Sequence, residues 1–114
     1  MKFVATVHEP MYEFNSKKYI RFVIPTKVSE IIERMHTQRR HLLVNQNVDV
    51  PLDGRVLTVK VPFRYRRVMC DVKGRPIQSL MRGDEVEIDV DFKGVWNVGN
   101  YSGFSWILSS SSTS

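Results

Sequence analysis

The chain has 114 residues, 42% of them apolar and 25% charged, with a formal net charge of +5. That composition suits one globular domain with its own core and excludes a disordered polyelectrolyte. The single cysteine, Cys70, excludes an internal disulfide framework, and its expected role is that of a small apolar residue in or near a strand.

No run approaches the roughly 20 apolar residues that a membrane helix needs. The opening Met1-Lys2-Phe3-Val4 soon meets His8, Glu9 and Pro10, too short an apolar run for a secretory leader. The expectation is a soluble, intracellular protein with no membrane partner. Charge is unevenly spread: residues 55–82 hold eight basic side chains against one acid, Asp71, whereas residues 83–114 hold five acids against Lys93. A concentrated positive block of this kind suits a polyanion.

Residues 2–8 form a short strand-like run that Pro10 closes, and Asn15-Ser16 marks a turn. From Lys18 to Ile24, Ile20, Phe22 and Ile24 alternate with Tyr19, Arg21 and Val23, a strand with one apolar and one mixed face. Thr26 to His41 is the helix candidate. Val28, Ile31, Ile32 and Met35 make its apolar stripe, Thr26 or Ser29 is placed to cap its start, and early Glu30 and Glu33 and late Arg39, Arg40 and His41 suit its dipole.

Asp53-Gly54 is a hairpin signal. A long β stretch follows from Arg55 to about Val72, in which Leu57, Val59, Val61, Phe63 and Tyr65 alternate with Thr58, Lys60, Pro62, Arg64 and Arg66. Pro62 cannot donate to a ladder, so it implies an edge or a bulge there. Turns are expected at Lys73-Gly74-Arg75-Pro76, at Arg82-Gly83-Asp84 and at Lys93-Gly94. Between the last two lies the cleanest strand, with Val86, Ile88, Val90 and Phe92 on one face and Glu85, Glu87, Asp89 and Asp91 on the other. Gly103 to Leu108 reads as a closing strand, and Ser109 to Ser114 as a flexible serine-rich tail. The fold class is therefore mostly β: a small barrel of about five strands with one helix, as a single domain over residues 1–108.

Two patterns carry the functional reading. The basic stretch sets Lys60, Arg64 and Arg66 on one outer strand face, with Arg67 just beyond. Such a row repels itself unless an anion faces it; the acidic strand, through Asp89 and Asp91, is the internal alternative. Both tryptophans, a tyrosine and a phenylalanine also fall between residues 94 and 106. Trp106 and Phe104 read as core. Trp96, Tyr101 and Tyr19, the last beside Arg21, are the rings placed to stack bases while cations hold phosphates.

The segment Arg82-Gly83-Asp84-Glu85-Val86-Glu87-Ile88-Asp89-Val90-Asp91-Phe92, followed by Trp96, Tyr101, Gly103, Phe104 and Trp106, resembles the C-terminal half of oligonucleotide-binding-fold single-stranded DNA-binding proteins of phages and large DNA viruses. The resemblance implies a five-stranded barrel whose groove takes single strands with little sequence preference, with Arg64, Arg66 and Trp96 near the strand. It also implies service in replication, recombination or repair beside the proteins of those processes, in host cytoplasm or nucleus. Such barrels carry their helix between the third and fourth strands, whereas the helix here follows the second.

Single-stranded RNA remains an alternative ligand, and a protein-interaction module, homo-oligomeric or docking its basic strand on an acidic partner, an alternative function. No cofactor is expected. His8, His36 and His41 lack metal-ligand spacing and read as solvent-facing or capping. The acidic row reads as a solvated face, and no nucleophile elbow or phosphate-cradling loop is present, so no catalytic or metal site is expected.

Overall fold

The computed structural model describes residues 1–64, 67–68, 71–72 and 75–109, with side chains outside 63–76. The strands are β1 (Lys2–Phe14), β2 (Lys17–Val23), β3 (Asn47–Asp49), β4 (Leu52–Asp53), β5 (Val56–Val61), β6 (Phe63–Arg64), β7 (Arg67–Val68), β8 (Asp71–Val72), β9 (Arg75–Pro76), β10 (Glu85–Val98) and β11 (Tyr101–Ser109). Helix α1 (Thr26–Arg39) runs into a 3-10 turn at Arg40–Leu42, and a second such turn spans Ile77–Ser79.

Seven strands share one sheet in the order β3-β11-β10-β1-β2-β5-β4. The sheet curls until β5 meets β11 in parallel, with Ile107 opposite Lys60. Five strands, β1, β2, β5, β11 and β10, thereby form a barrel-like ring, and α1 is the single α-helix among the described residues. The expected fold class holds in these terms.

Period-two patterning decides the core. Ile20 and Phe22 of β2, Leu57, Val59 and Val61 of β5, Ile88 and Val90 of β10, and Trp106 and Leu108 of β11 all point inward and are almost fully buried. Leu80 and Ile77 join them from the connection before β10. Phe104 is buried as expected, and Phe92 packs half-buried against the core.

The turns follow local chemistry. Phe14 pairs with Lys17 across a two-residue turn in which Asn15 and Ser16 both take positive φ, 53° and 65°. A primed hairpin turn needs that geometry, and asparagine tolerates it. Asp53 pairs with Val56 around Gly54, as the Asp-Gly signal predicts.

Several boundaries move. β1 does not stop at Pro10; it continues to Phe14, with register shifts between Val7 and Glu9 and between Glu9 and Tyr12 that leave Pro10 out of the regular ladder. Lys93-Gly94 is not a turn but an irregularity inside β10: register shifts between Phe92 and Gly94, and Gly94 adopts φ 103°. The hairpin turns later, at Gly99-Asn100, where Val98 faces Tyr101. Ser109 belongs to β11 and its hydroxyl donates to Asp91, so the tail begins no earlier than Ser110; residues 110–114 lie outside the described residues.

The long basic stretch divides at Pro62. β5 ends at Val61, and Phe63–Arg64 pairs with Arg67–Val68 in a separate two-stranded ladder. Strands β8 and β9 form another, with Asp71 opposite Pro76 and Val72 opposite Arg75. Cys70, and Lys73-Gly74 of the expected turn, lie outside the described residues.

The helix departs from its expected stripe. Ser29, Ile32 and His36 are buried and Val28 and Met35 pack against the core, while Ile31 is exposed. Neither Thr26 nor Ser29 caps the start: Pro25 holds the cap position without a side-chain bond, and Ser29 Oγ donates to the Thr26 carbonyl. No acid falls in the first turn, while His36 and Arg39 occupy the last.

His36 is neither solvent-facing nor a cap. It is 4% exposed, its ring stacks on Phe104 at 4.1 Å, and its Nε2 accepts a 2.9 Å bond from Trp106 Nε1. Phe92 lies beside it, and the Arg39 guanidinium sits 5.1 Å from the Phe92 ring centroid. Accepting from the indole requires Nε2 to be unprotonated. Burial, reinforced by Arg40 and Arg39, lowers the pKa from 6.5 to about 4.

The unfolded chain therefore binds more protons between those values, and stability falls as pH drops through that window. At ~1.4 kcal/mol per unit the full effect is on the order of 3 kcal/mol. Denaturant titrations between neutral pH and pH ~4 should show this loss. His36→Gln, whose amide oxygen can still accept from the indole, should flatten the dependence; an unchanged slope would remove His36 as its source.

Candidate nucleic-acid interface

Tyr19 and Arg21 point outward from β2, between the inward Ile20 and Phe22. The neighbouring strands complete the surface. Tyr19 faces Tyr12 of β1 on one side and Lys60 of β5 on the other, while Arg21 faces Glu9 and Thr58. The Tyr12 and Tyr19 rings lie 5.8 Å apart and 29° from parallel. The Arg21 guanidinium covers the outer ring of the pair, 5.2 Å from the Tyr12 centroid, and its Nη1 donates to Glu9 at 3.0 Å. Its Nε is buried without a hydrogen-bond partner among the described residues.

The electrostatics of this face follow from partial burial. Tyr19 titrates above its ordinary range because burial, then Asp49, then Tyr12 disfavour the phenolate. Lys60 is shifted down by burial and by Lys17. It forms no ion pair among the described residues, and an anion brought alongside would favour its charged form. Arg21, in contrast, already spends part of its charge on Glu9.

Across the ring closure, Lys60 stands beside Ile107 of β11, whose outward face continues through Ser105 and Gly103 to Tyr101. Trp96 lies opposite Gly103, and its ring covers that residue: a β-carbon there would fall 2.6 Å from Trp96 Cζ2 and 2.8 Å from the Asp49 carbonyl oxygen. Glycine is required by this close approach. Trp96 is half-buried and Tyr101, at the hairpin tip, is 58% exposed.

The hairpin is held by side-chain amides. Asn97 Oδ1 accepts from the Val44 N–H at 3.1 Å and from the Ser102 hydroxyl, and its Nδ2 donates to the Leu42 carbonyl at 3.3 Å. Asn45 donates from its backbone to Ser102 Oγ at 3.0 Å and from Nδ2 to the Tyr101 carbonyl at 2.7 Å.

Of the residues expected in the site, the fold brings Tyr19, Arg21 and Lys60 onto one face and sets Trp96 and Tyr101 farther along the same outer surface. It does not align Lys60 with Arg64 on one strand. Arg64 faces Arg67 in the separate β6–β7 ladder, and Arg66 lies outside the described residues. The acidic row does not face the basic strand either: β10 lies between β1 and β11, with Asp89 opposite Lys2 and Asp91 opposite Ile107. Tyr12 and Lys17 are additions. Tyr12 becomes legible only once β1 is known to pass Pro10 and pair beyond it.

Among the described residues no group of His, Cys, Asp and Glu could hold a metal ion, and no helix is long and apolar enough to cross a membrane. No known protein family, curated protein or solved structure matches the chain.

Gly103→Ala should displace the Trp96 ring or strand β3 at a cost of about 1–3 kcal/mol. Thermal unfolding and the tryptophan emission maximum would report it. Wild-type values in both would mean that the ring does not rest on this glycine.

Proposed function

We propose that this chain is a sequence-tolerant single-stranded DNA-binding protein that uses the outer face of β2 and β5. The carrying observation is the stacked Tyr12–Tyr19 pair flanked by Lys60 and Arg21. Flat rings take bases of any identity, and partly desolvated cations beside them take phosphates.

Ring order supports the reading. Oligonucleotide-binding barrels bind on the face of their second and third strands and with the loops joining strands one to two and four to five. Counted around this ring, those strands are β2 and β5, and those loops are the turns at Asn15-Ser16 and Gly99-Asn100. The basic block of residues 55–82, with Arg64, Arg66 and Arg67, adds long-range attraction for a polyanion. Replication, recombination or repair, inside a cell, is the setting such a binder serves; single-stranded RNA would meet the same rings and cations.

The test is anisotropy of a labelled oligo-dT at several salt concentrations. Binding should weaken with salt by a log–log slope of about 0.7 per phosphate contact. Tyr19→Ala should cost about 1–3 kcal/mol, roughly fivefold to a hundredfold or more in affinity, and Lys60→Ala should reduce the slope by nearly one contact. Wild-type affinity in Tyr19→Ala would move the site elsewhere. No binding at low salt would reject nucleic acid as ligand and favour a protein-interaction module.

A further inference from the structure

Glu9 stands on the outer face because its strand is irregular. In a regular strand Glu9 would share the inward side of the buried Val7, and Tyr12, three positions on, would lie on the other side. The register of β1 against β2 shifts between Val7 and Glu9 and again between Glu9 and Tyr12, so that Glu9 pairs with Arg21 and Tyr12 with Tyr19. Two irregularities thus carry an acid and a ring to the face on which Tyr19 and Arg21 already point. Bulges at functional sites re-aim side chains in this way.

Glu9, Arg21 and Tyr12 form one unit there. Arg21 Nη1 donates to Glu9 Oε2 at 3.0 Å, and the same guanidinium lies 5.2 Å from the Tyr12 ring centroid. The Arg21 and Glu9 side chains are 43% and 42% exposed, so a solute can reach the pair. The carboxylate gives Arg21 what a phosphate oxygen would give it, an anionic acceptor beside an aromatic ring. Its bond runs through Nη1, whereas the guanidinium fork fits a phosphate with two parallel N–H···O bonds. An ion pair this exposed is also weak, about fivefold in equilibrium at most. Exchange of carboxylate for phosphate is therefore within reach of a bound strand.

We infer, building on the single-strand binding proposed for this face, that Glu9 holds a phosphate subsite closed. Its carboxylate occupies the place of a phosphate at Arg21 and keeps the guanidinium on Tyr12, and a strand binds by displacing it. The phosphate then takes Arg21, and the Tyr12 ring is released to a base. The Glu9 carboxylate, parted from its cation, takes up a counterion from solution. That uptake offsets one of the counterions that the strand sheds. Glu9 thus lowers both the affinity and the salt dependence of binding, and it does so through Arg21.

Anisotropy of labelled oligo-dT with the full chain, over a salt series, tests this in Glu9→Gln, whose amide keeps the shape and drops the charge. Glu9→Gln should bind about threefold or more tightly at low salt, with a log–log slope steeper by about 0.7. Glu13→Gln removes the same charge from the other side of β1, where Glu13 pairs with Lys18, and should leave the slope at its wild-type value. In an Arg21→Gln background, Glu9→Gln should add no more than Glu13→Gln does, because the carboxylate then has no guanidinium to hold. Three results would overturn the subsite: wild-type affinity and slope in Glu9→Gln, an equal gain in Glu13→Gln, or a full gain without Arg21. In each of these the wild-type protein still binds oligo-dT, so single-strand binding stands. Absence of binding at low salt in the wild type and in Glu9→Gln alike removes both.

Discussion

A curled sheet encloses a core only if its first and last strands meet, and here the meeting is a short parallel contact between β5 and β11 at Lys60 and Ile107. Everything inward depends on it. Leu57, Val59 and Val61 on one side and Trp106 and Leu108 on the other are buried because the closure brings their strands edge to edge. The outward face depends on it as well, since the same contact carries the surface of Tyr19 and Lys60 across to β11 and the hairpin. A contact this short needs reinforcement, and β3 supplies some by extending the same edge of β11 in parallel.

The helix covers the ring and is fixed to it at both ends. At its start, the Ile24 N–H donates to the Arg55 carbonyl and Arg55 Nε donates back to the Ile24 carbonyl. Near its end, the His36 imidazole works as an apolar plate against Phe104 and as an acceptor for the buried Trp106 N–H. A buried indole N–H without an acceptor would be costly. This bond and the packing of Ile32, Val28 and Met35 on the core agree on one rotation of the helix, with Ser29, Ile32 and His36 inward and Ile31 outside.

The outer surface divides by charge. On β1, β2 and β5, rings and cations alternate with acids, so the local field is mixed and Arg21 is partly neutralised by Glu9. On the proposed reading, stacking then provides much of the affinity and Lys60, with the basic residues after Pro62, the salt dependence. At the hairpin end, charge is nearly absent and side-chain amides replace it. Tyr101 and Trp96, five positions apart in sequence, belong to different settings: one is exposed at the tip, the other half-buried on a glycine.

By itself the sequence determined the inward sets of β2, β5 and β10, the turns at Asn15-Ser16 and Asp53-Gly54, one helix, the burial of Phe104 and Trp106, and the outward placement of Tyr19, Arg21 and Lys60. Period-two alternation and turn chemistry are local, and local signals suffice where one face of a strand is buried. Tertiary structure decided the rest. Whether β1 passes Pro10 depends on a partner strand that tolerates its irregular pairing. Whether Lys93-Gly94 turns or bulges depends on β11 lying alongside. Which residue faces Tyr19, and whether the imidazole at position 36 is polar surface or core, are pairings between segments distant in the chain, and no short-range pattern encodes them.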